Sequence, residues 1–227
     1  MQSSRWVAQG NVYLVTREPL TAKRARAEAA DGDGILEVRA EGDDWLEIAI
    51  WNPDGSQAEM SGNGTRIAAT WLADQTGAKE VTVRVGSRRV RARMLDGDLV
   101  EQDMGEVELG EPELVAGIRL TTVVVGNPHA VVEDDPSRVE ELGPLLETHE
   151  RFPLRTNVQV ARRVGPGEIE ARVWERGVGE TLASGSSAVA VAAALGFADA
   201  TVRFPGGPLD VRFDGRRALL TGPVARA

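Results

Sequence analysis

The chain has 227 residues, 42% hydrophobic and 27% charged, the balance of a globular protein with one large or two small domains. Asp and Glu number 35 against 26 Lys and Arg, and the net charge of -9 disfavours nucleic acid or an anionic membrane as a main partner. Cysteine is absent, which excludes disulfides, thiolate metal sites and thiol catalysis.

Gly10-Asn11 precedes a first apolar strand, and Ala22–Ala30 has the composition of a short surface helix. Trp45–Trp51 alternates apolar and polar residues as a half-buried strand does. An Ala-rich helix is expected over Thr65–Ala73, followed by strands at Val81–Val85 and Val90–Met94. Arg89, Arg91 and Arg93 share one face of the latter, and without interleaved aromatics that face is expected to be solvated. Thr121–Val125 is a continuous β-branched run, which predicts a strand buried on both faces. A helix is expected within Pro136–Thr148, then a strand at Ile169–Trp174. The run AVAVAAAL over Ala188–Leu195 is apolar all round and predicts a core helix. Strands at Val202–Phe204, Leu209–Phe213 and Ala218–Leu220 complete the pattern, separated by turn signals such as Asp214-Gly215. No run is as long as a transmembrane helix, and the opening MQSSRWVAQG lacks a signal-peptide core, so a cytoplasmic location is expected.

The chain also echoes itself. Gly10-Asn11 recurs as Gly126-Asn127, and Ser61-Gly62 ahead of one Ala-rich helix recurs as Ser184-Gly185 ahead of another. Two matches in the same order, each about half a chain apart, point to duplication. The fold class expected is α+β with two pseudo-symmetric halves, 1–113 and 114–227. The segment EPELVAG serves as connector, and the last strand is able to return to the first half.

Two elements could carry chemistry. Asn52-Pro53-Asp54-Gly55-Ser56 reads as a turn, and Ser61-Gly62-Asn63-Gly64-Thr65-Arg66 as a helix start, where free N–H groups and the dipole receive an anion. Ser61 as a plain helix cap is the simpler reading, and the two are compatible. Glu175-Arg176-Gly177-Val178-Gly179 followed by Ser184-Gly185-Ser186-Ser187 repeats the logic. If the halves pack face to face, a small carboxylate could sit between two hydroxyls, with Glu175 taking an ammonium and Arg176 a second carboxylate. Glu175 and Arg176 as a solvated ion pair is the alternative. His129 and His149 are the only histidines, too few for a zinc site. His129 shares a strand-end loop with the repeated Asn127. Lys23 and Lys79 are the only lysines, and neither lies in a Schiff-base motif. No serine sits in a G-x-S-x-G elbow, which disfavours an α/β-hydrolase.

The motifs GNVYL, DGDGIL, NPDGSQAEMSGNGTR, QDMG, VGNPHAVV, LGPLLETHERFPLRTNV, RVWERGVGETLASGSS, FPGG and LTGP run in one order from Gly10 to Pro223. Together they resemble the diaminopimelate epimerases, in the wider group with proline racemases and phenazine-pathway isomerases. The resemblance implies two halves, each a mixed sheet wrapped on a central helix, with the active site between them. It implies cofactor-independent inversion of an amino-acid α-carbon, a small-molecule amino-acid substrate, no nucleic acid or membrane partner, and a homodimer. Asn11, Asn52, Asn127, Asn157, Glu175 and Arg176 would bind substrate, and Gly62-Asn63 with Gly185-Ser186 would hold the α-carboxylate. The resembled family's two acid/base residues are cysteines, and those positions are Ser61 and Ser184 in this chain. His129 and Glu175 would assist proton transfer. The stretch between Leu14 and Asp31 is shorter than in the resembled family, which would open one rim of the site. Three readings follow from the resemblance: an epimerase, a binding protein that has lost catalysis, and a one-base isomerase or lyase.

Overall fold

The computed structural model describes residues 3–29 and 32–227, which form two compact units. One unit runs to Asp103 and takes in Thr221–Ala227; the other is Met104–Leu220. Ala30 and Asp31, at the end of the expected surface helix and of the shortened stretch, lie outside the described residues.

In the first unit, β1 (Ser4–Ala8) and β2 (Asn11–Thr16) form a hairpin, followed by α1 (Ala22–Glu28). Thr21 caps α1 through its hydroxyl, which accepts from the Arg24 amide. Next, β3 (Gly34–Glu41) lies parallel to β2, and β4 (Trp45–Trp51) turns back antiparallel, with β5 (Gln57–Ala58) on its edge. Helix α2 (Gly62–Thr76) crosses to β6 (Glu80–Val85), which runs parallel to β4 and continues into β7 (Arg88–Met94) and β8 (Leu99–Glu106).

The second unit repeats this order. Strands β9 (Glu108–Val115), β10 (Ile118–Val124) and β11 (Pro128–Glu133) form a meander, and a short 3-10 turn leads into α3 (Val139–Glu147). β12 (Asn157–Gly165) lies parallel to β11, and β13 (Glu168–Glu175) returns antiparallel with β14 (Gly179–Thr181) on its edge. Helix α4 (Gly185–Ala194) crosses to β15 (Asp199–Phe204), parallel to β13 and followed by β16 (Gly207–Asp214). After β17 (Arg217–Pro223) the chain ends in β18 (Ala225–Arg226), which pairs with β1 of the first unit's fold.

Each unit is organised by its central helix. Ile67, Ala68, Ala69, Trp71 and Leu72 of α2 are buried among Leu36, Leu46, Ile48, Ile50, Val81 and Val83 of the surrounding strands. α4 is buried on every side among Val123, Val131, Ile169, Val173, Val202 and Leu209, which is why its sequence shows no polar stripe. It ends in a Schellman motif: Gly196 (φ 72°) donates to Ala193 and Phe197 to Ala192, while the Phe197 ring packs on the core.

Two expectations are corrected. The connector EPELVAG is largely strand β9, whose alternation the sequence hides because it is an edge strand carrying Pro112 and exposed Leu109 and Leu114. Because β9 pairs with β10, the division falls at Asp103/Met104 rather than at 113/114. Thr121–Val125 is not buried on both faces: Val123 and Val125 face the core, whereas Val124 is 39% exposed. β-branched residues suit a strand on either face, so their run does not report double burial.

Gly143 in α3 yields a stability test. A Cβ there would lie 2.5 Å from Trp174 Cγ. Gly to Ala in a helix interior ordinarily stabilises by about 1 kcal/mol. Here we expect Gly143→Ala to destabilise by about 1–3 kcal/mol through overpacking, read from the urea unfolding midpoint; an unchanged or higher midpoint would contradict the close packing.

Candidate active site

The β1–β2 hairpin turns through Gln9 (φ 50°) and Gly10 (φ 78°), a left-handed pair that suits a two-residue loop and delivers Asn11 to the strand's start. Ser61 caps α2: its backbone is extended, and its hydroxyl accepts from the Gly64 amide at 2.9 Å. The same hydroxyl lies 3.1 Å from the Tyr13 phenol. One turn into the helix, the Thr65 hydroxyl donates to the Ser61 carbonyl at 2.9 Å and lies 2.7 Å from the Gln102 carboxamide. Asn63 donates through Nδ2 to Asn11 Oδ1, and Asn63 Oδ1 accepts from Arg66 Nη2 at 2.6 Å. A hydrogen-bonded chain thus runs from Arg66 through Asn63 to Asn11. Asn52 is held in its turn by donation from Nδ2 to the Ser56 hydroxyl at 2.9 Å.

The second unit builds a counterpart from other residues. Ser184 occupies the cap position of α4 with an extended backbone, but its hydroxyl makes no capping bond. Ser187 is buried, and Gln159 Nε2 lies 3.0 Å from its hydroxyl and 2.9 Å from His129 Nδ1. His129 Nε2 lies 2.9 Å from Asn127 Oδ1. An amide nitrogen only donates, so Nδ1 is the bare nitrogen and Nε2 carries the proton it gives to Asn127. This chain also ends on the asparagine that follows the repeated glycine. Burial pushes the His129 pKa down to about 3, against a weaker upward pull from Gln159. The ring is neutral near pH 7 with a hydrogen-bond partner at each nitrogen, and it orients Asn127.

Asn157, at the start of β12, donates to the Pro128 carbonyl at 2.9 Å and accepts from the Arg176 amide at 3.0 Å. It therefore fastens the Glu175–Val178 turn to the β11–β12 pair. Glu175 is partly buried, and burial pushes its carboxyl above the usual carboxylate range despite the Thr181 hydroxyl donating to it at 2.5 Å. The Arg176 side chain is exposed, with Nη1 donating to the Leu154 carbonyl at 3.2 Å. Gly185 is buried, whereas Gly62 and Ser186 are partly exposed at their helix starts.

Sequence reasoning missed Glu147, the last residue of α3. Its carboxylate accepts from the Trp174 indole and the Gly177 amide, each at 2.8 Å, and pairs with Arg155 Nη1 at 3.2 Å. Burial alone would raise its pKa; these three donors outweigh it and hold the carboxyl below the usual range. The available signal was its position, since a helix C-terminus disfavours a carboxylate unless specific donors hold it. Arg66 stood in a quoted motif without a role, and nothing in the patterning marked Gln159. Among the described residues, no group of three or more His, Asp or Glu side chains is placed to hold a metal ion.

A family model described as diaminopimelate epimerase matches residues 10–110 and 121–226. Curated relatives named diaminopimelate epimerase include one from Rhodospirillum centenum, 38% identical over 96% of this chain and 87% of its own length. Another, from Synechococcus elongatus, is 38% identical over 100% of this chain and 96% of its own. Among solved structures, a PhzF-family phenazine biosynthesis protein from Bacillus anthracis covers 99% of this chain and 96% of its own at TM-score 0.77 and 10% identity. A hydroxyproline epimerase from Agrobacterium vitis covers 99% and 88% at TM-score 0.69 and 16% identity. These structural likenesses give the fold.

The buried neutral imidazole has a measurable consequence. His129 in the unfolded chain titrates near its usual value of about 6.5, but in the fold only at about 3. Between these values the unfolded state binds the extra proton, so stability is full above 6.5 and falls as pH drops toward 3. Between pH 7 and 5, where most carboxylates stay ionised, we expect wild type to lose about 1–2 kcal/mol more than His129→Gln. Urea unfolding of both proteins at the two pH values checks this; equal losses would rule out the neutral buried ring.

Proposed function

Because the chain belongs to the diaminopimelate epimerase family, we propose that it epimerises diaminopimelate, interconverting the LL and meso forms without a cofactor in the cytoplasmic route to lysine. The observation that carries this is the match at 38% identity to relatives of that name along the length of both units.

In the proposed reaction the substrate's α-carboxylate sits on the amides of Gly62-Asn63 and Gly185-Ser186. Helix starts offer such groups without a counter-charge of their own. Asn11 and Asn127, each oriented by its hydrogen-bonded chain, bind the substrate beside them together with Asn52 and Asn157. Glu175 takes an ammonium and Arg176 the distal carboxylate, on a turn fastened by Asn157 and Glu147. Ser61 and Ser184 form the acid/base pair. One serine, as its alkoxide, takes the α-proton and becomes a hydroxyl, and the C–H electron pair stays on the α-carbon and spreads into the carboxylate. The other serine gives its hydroxyl proton to the opposite face and is left as the alkoxide.

Serine makes this chemistry slow. A hydroxyl is a far weaker acid than a thiol, and each pKa unit of mismatch costs about 1.4 kcal/mol. The Ser61 oxygen is also engaged by Gly64 and Tyr13, while Ser184 makes no capping bond. That inequality supports a second reading, a one-base isomerase or lyase working through Ser184. A binding protein without turnover is the remaining outcome.

Incubation with LL- and meso-diaminopimelate in deuterated water, followed by NMR, tests the proposal directly. We expect slow α-proton exchange in wild type and at least a tenfold rise when Ser61→Cys and Ser184→Cys are combined, each alone giving less. Calorimetry should show Arg176→Ala weakening diaminopimelate binding more than tenfold. Binding without exchange in either protein would leave the binding-protein reading, and no binding at all would reject the substrate.

A further inference from the structure

Arg66 is the largest fully buried side chain among the described residues, at 0% exposure. The reaction proposed above uses it only as the far end of the chain that orients Asn11 and gives its charge no role. Its guanidinium donates to Asn63 Oδ1 at 2.6 Å, and Nη1 lies 3.4 Å from the Gln102 carboxamide. Its Nε is buried with no acceptor, and no carboxylate ion pair reaches it among the described residues. Burial is the one influence resolved on its pKa, which falls to about 10, so the group stays charged at neutral pH.

A buried charge is costly unless it is paired, and buried arginines in folded proteins are paired with carboxylates as a rule. Here its partners are the Asn63 amide oxygen and, at 3.4 Å, the Gln102 carboxamide, on a helix otherwise packed into an apolar core. A methionine of similar length would fill that space without a desolvation cost. The position of the charge accounts for its presence. Arg66 is the fifth residue of α2 and bonds the second, so a full positive charge lies within a turn of the helix start and adds to its dipole. Low-polarity surroundings lengthen the reach of that charge.

We infer that Arg66 is an electrostatic positioning residue whose missing counter-charge is supplied by the carboxylate of the bound ligand at the Ser61–Asn63 helix start. It also holds Asn63, and through it Asn11, in the orientation the ligand meets. This deepens the proposed function and rests on its placement of an amino-acid carboxylate at this helix. The ligand-free protein thus tolerates an unpaired buried cation, and ligand binding relieves it.

The test compares wild type with Arg66→Met, which removes the charge at similar volume, and Arg66→Lys, which keeps it. Arg66→Gln takes the place of the Met variant should that fail to fold. Urea midpoints are measured without ligand, and calorimetry is run with diaminopimelate, L-lysine and L-proline. We expect the neutral variant to be at least as stable as wild type without ligand, to bind at least tenfold more weakly, and the Lys variant to recover most of that affinity. Undiminished binding by the neutral variant overturns the inference. So does a joint loss of stability and binding that Lys does not rescue, because that marks a purely structural role. An Arg66-dependent affinity for lysine or proline but none for diaminopimelate leaves the inference standing and rejects the proposed substrate; wild type that binds none of the three overturns both.

Discussion

The first turn of an α-helix has amide donors that no residue of the helix can satisfy, and both units bury such a turn inside a sheet. In α2 the run from Asn63 to Ala69 is buried while Asp74–Thr76 at its far end are exposed, and α4 is buried along nearly its whole length. Most polar side chains buried beside these helices belong to chains leading from the first turn to the strand ends: Thr65, Gln102, Asn63 and Arg66 in one unit, Ser187, Gln159 and His129 in the other. Such networks are tolerated in a core only when their members are matched. The one clear mismatch in the first network, the Arg66 Nε, is where the argument for an electrostatic role begins.

The two units share a pairing order and differ in chemistry. Tyr13 opposite Gly34 and His129 opposite Asn157 hold corresponding registers on the first parallel pair of each unit. One network carries a permanent cation, the other an imidazole that burial keeps neutral. Duplication preserved the scaffold, in which sterics and apolar burial dominate, and left the polar contents free to diverge. The helix caps show the same divergence: Ser61 makes its capping bond and Ser184 does not.

Much of this was legible in the sequence where a strong local rule applied. Trp45–Trp51 is a strand from end to end because alternation over seven residues leaves one answer, and the all-apolar Ala188–Leu195 could only be a core helix. The repeated Gly-Asn and Ser-Gly pairs marked the hairpin ends and helix starts of both units. Edge strands escaped, since β9 gains its order from pairing with β10 and not from its own pattern. Within the candidate site, the residues that sequence could single out are those standing in motifs, whereas those acting through a neighbour carry no such signal. Gln159 earns its place by touching His129 from thirty residues away, and Glu147 by meeting Trp174 and Gly177 across a similar span. Such contacts exist only in three dimensions.

Val224 and β18 impose an order on how the molecule comes into being. Val224 is buried in the first unit's core, its amide donates to Asp98, and β18 pairs with β1. The second unit, by contrast, is one uninterrupted stretch from Met104 to Leu220. During synthesis from the N-terminus, the part made first cannot complete its core until Val224 and β18, made after the whole second unit, have left the ribosome. The part made second has everything it needs before then. The earlier-born unit is the later-finished one, and removing Val224 and β18 wounds the unit that was made first.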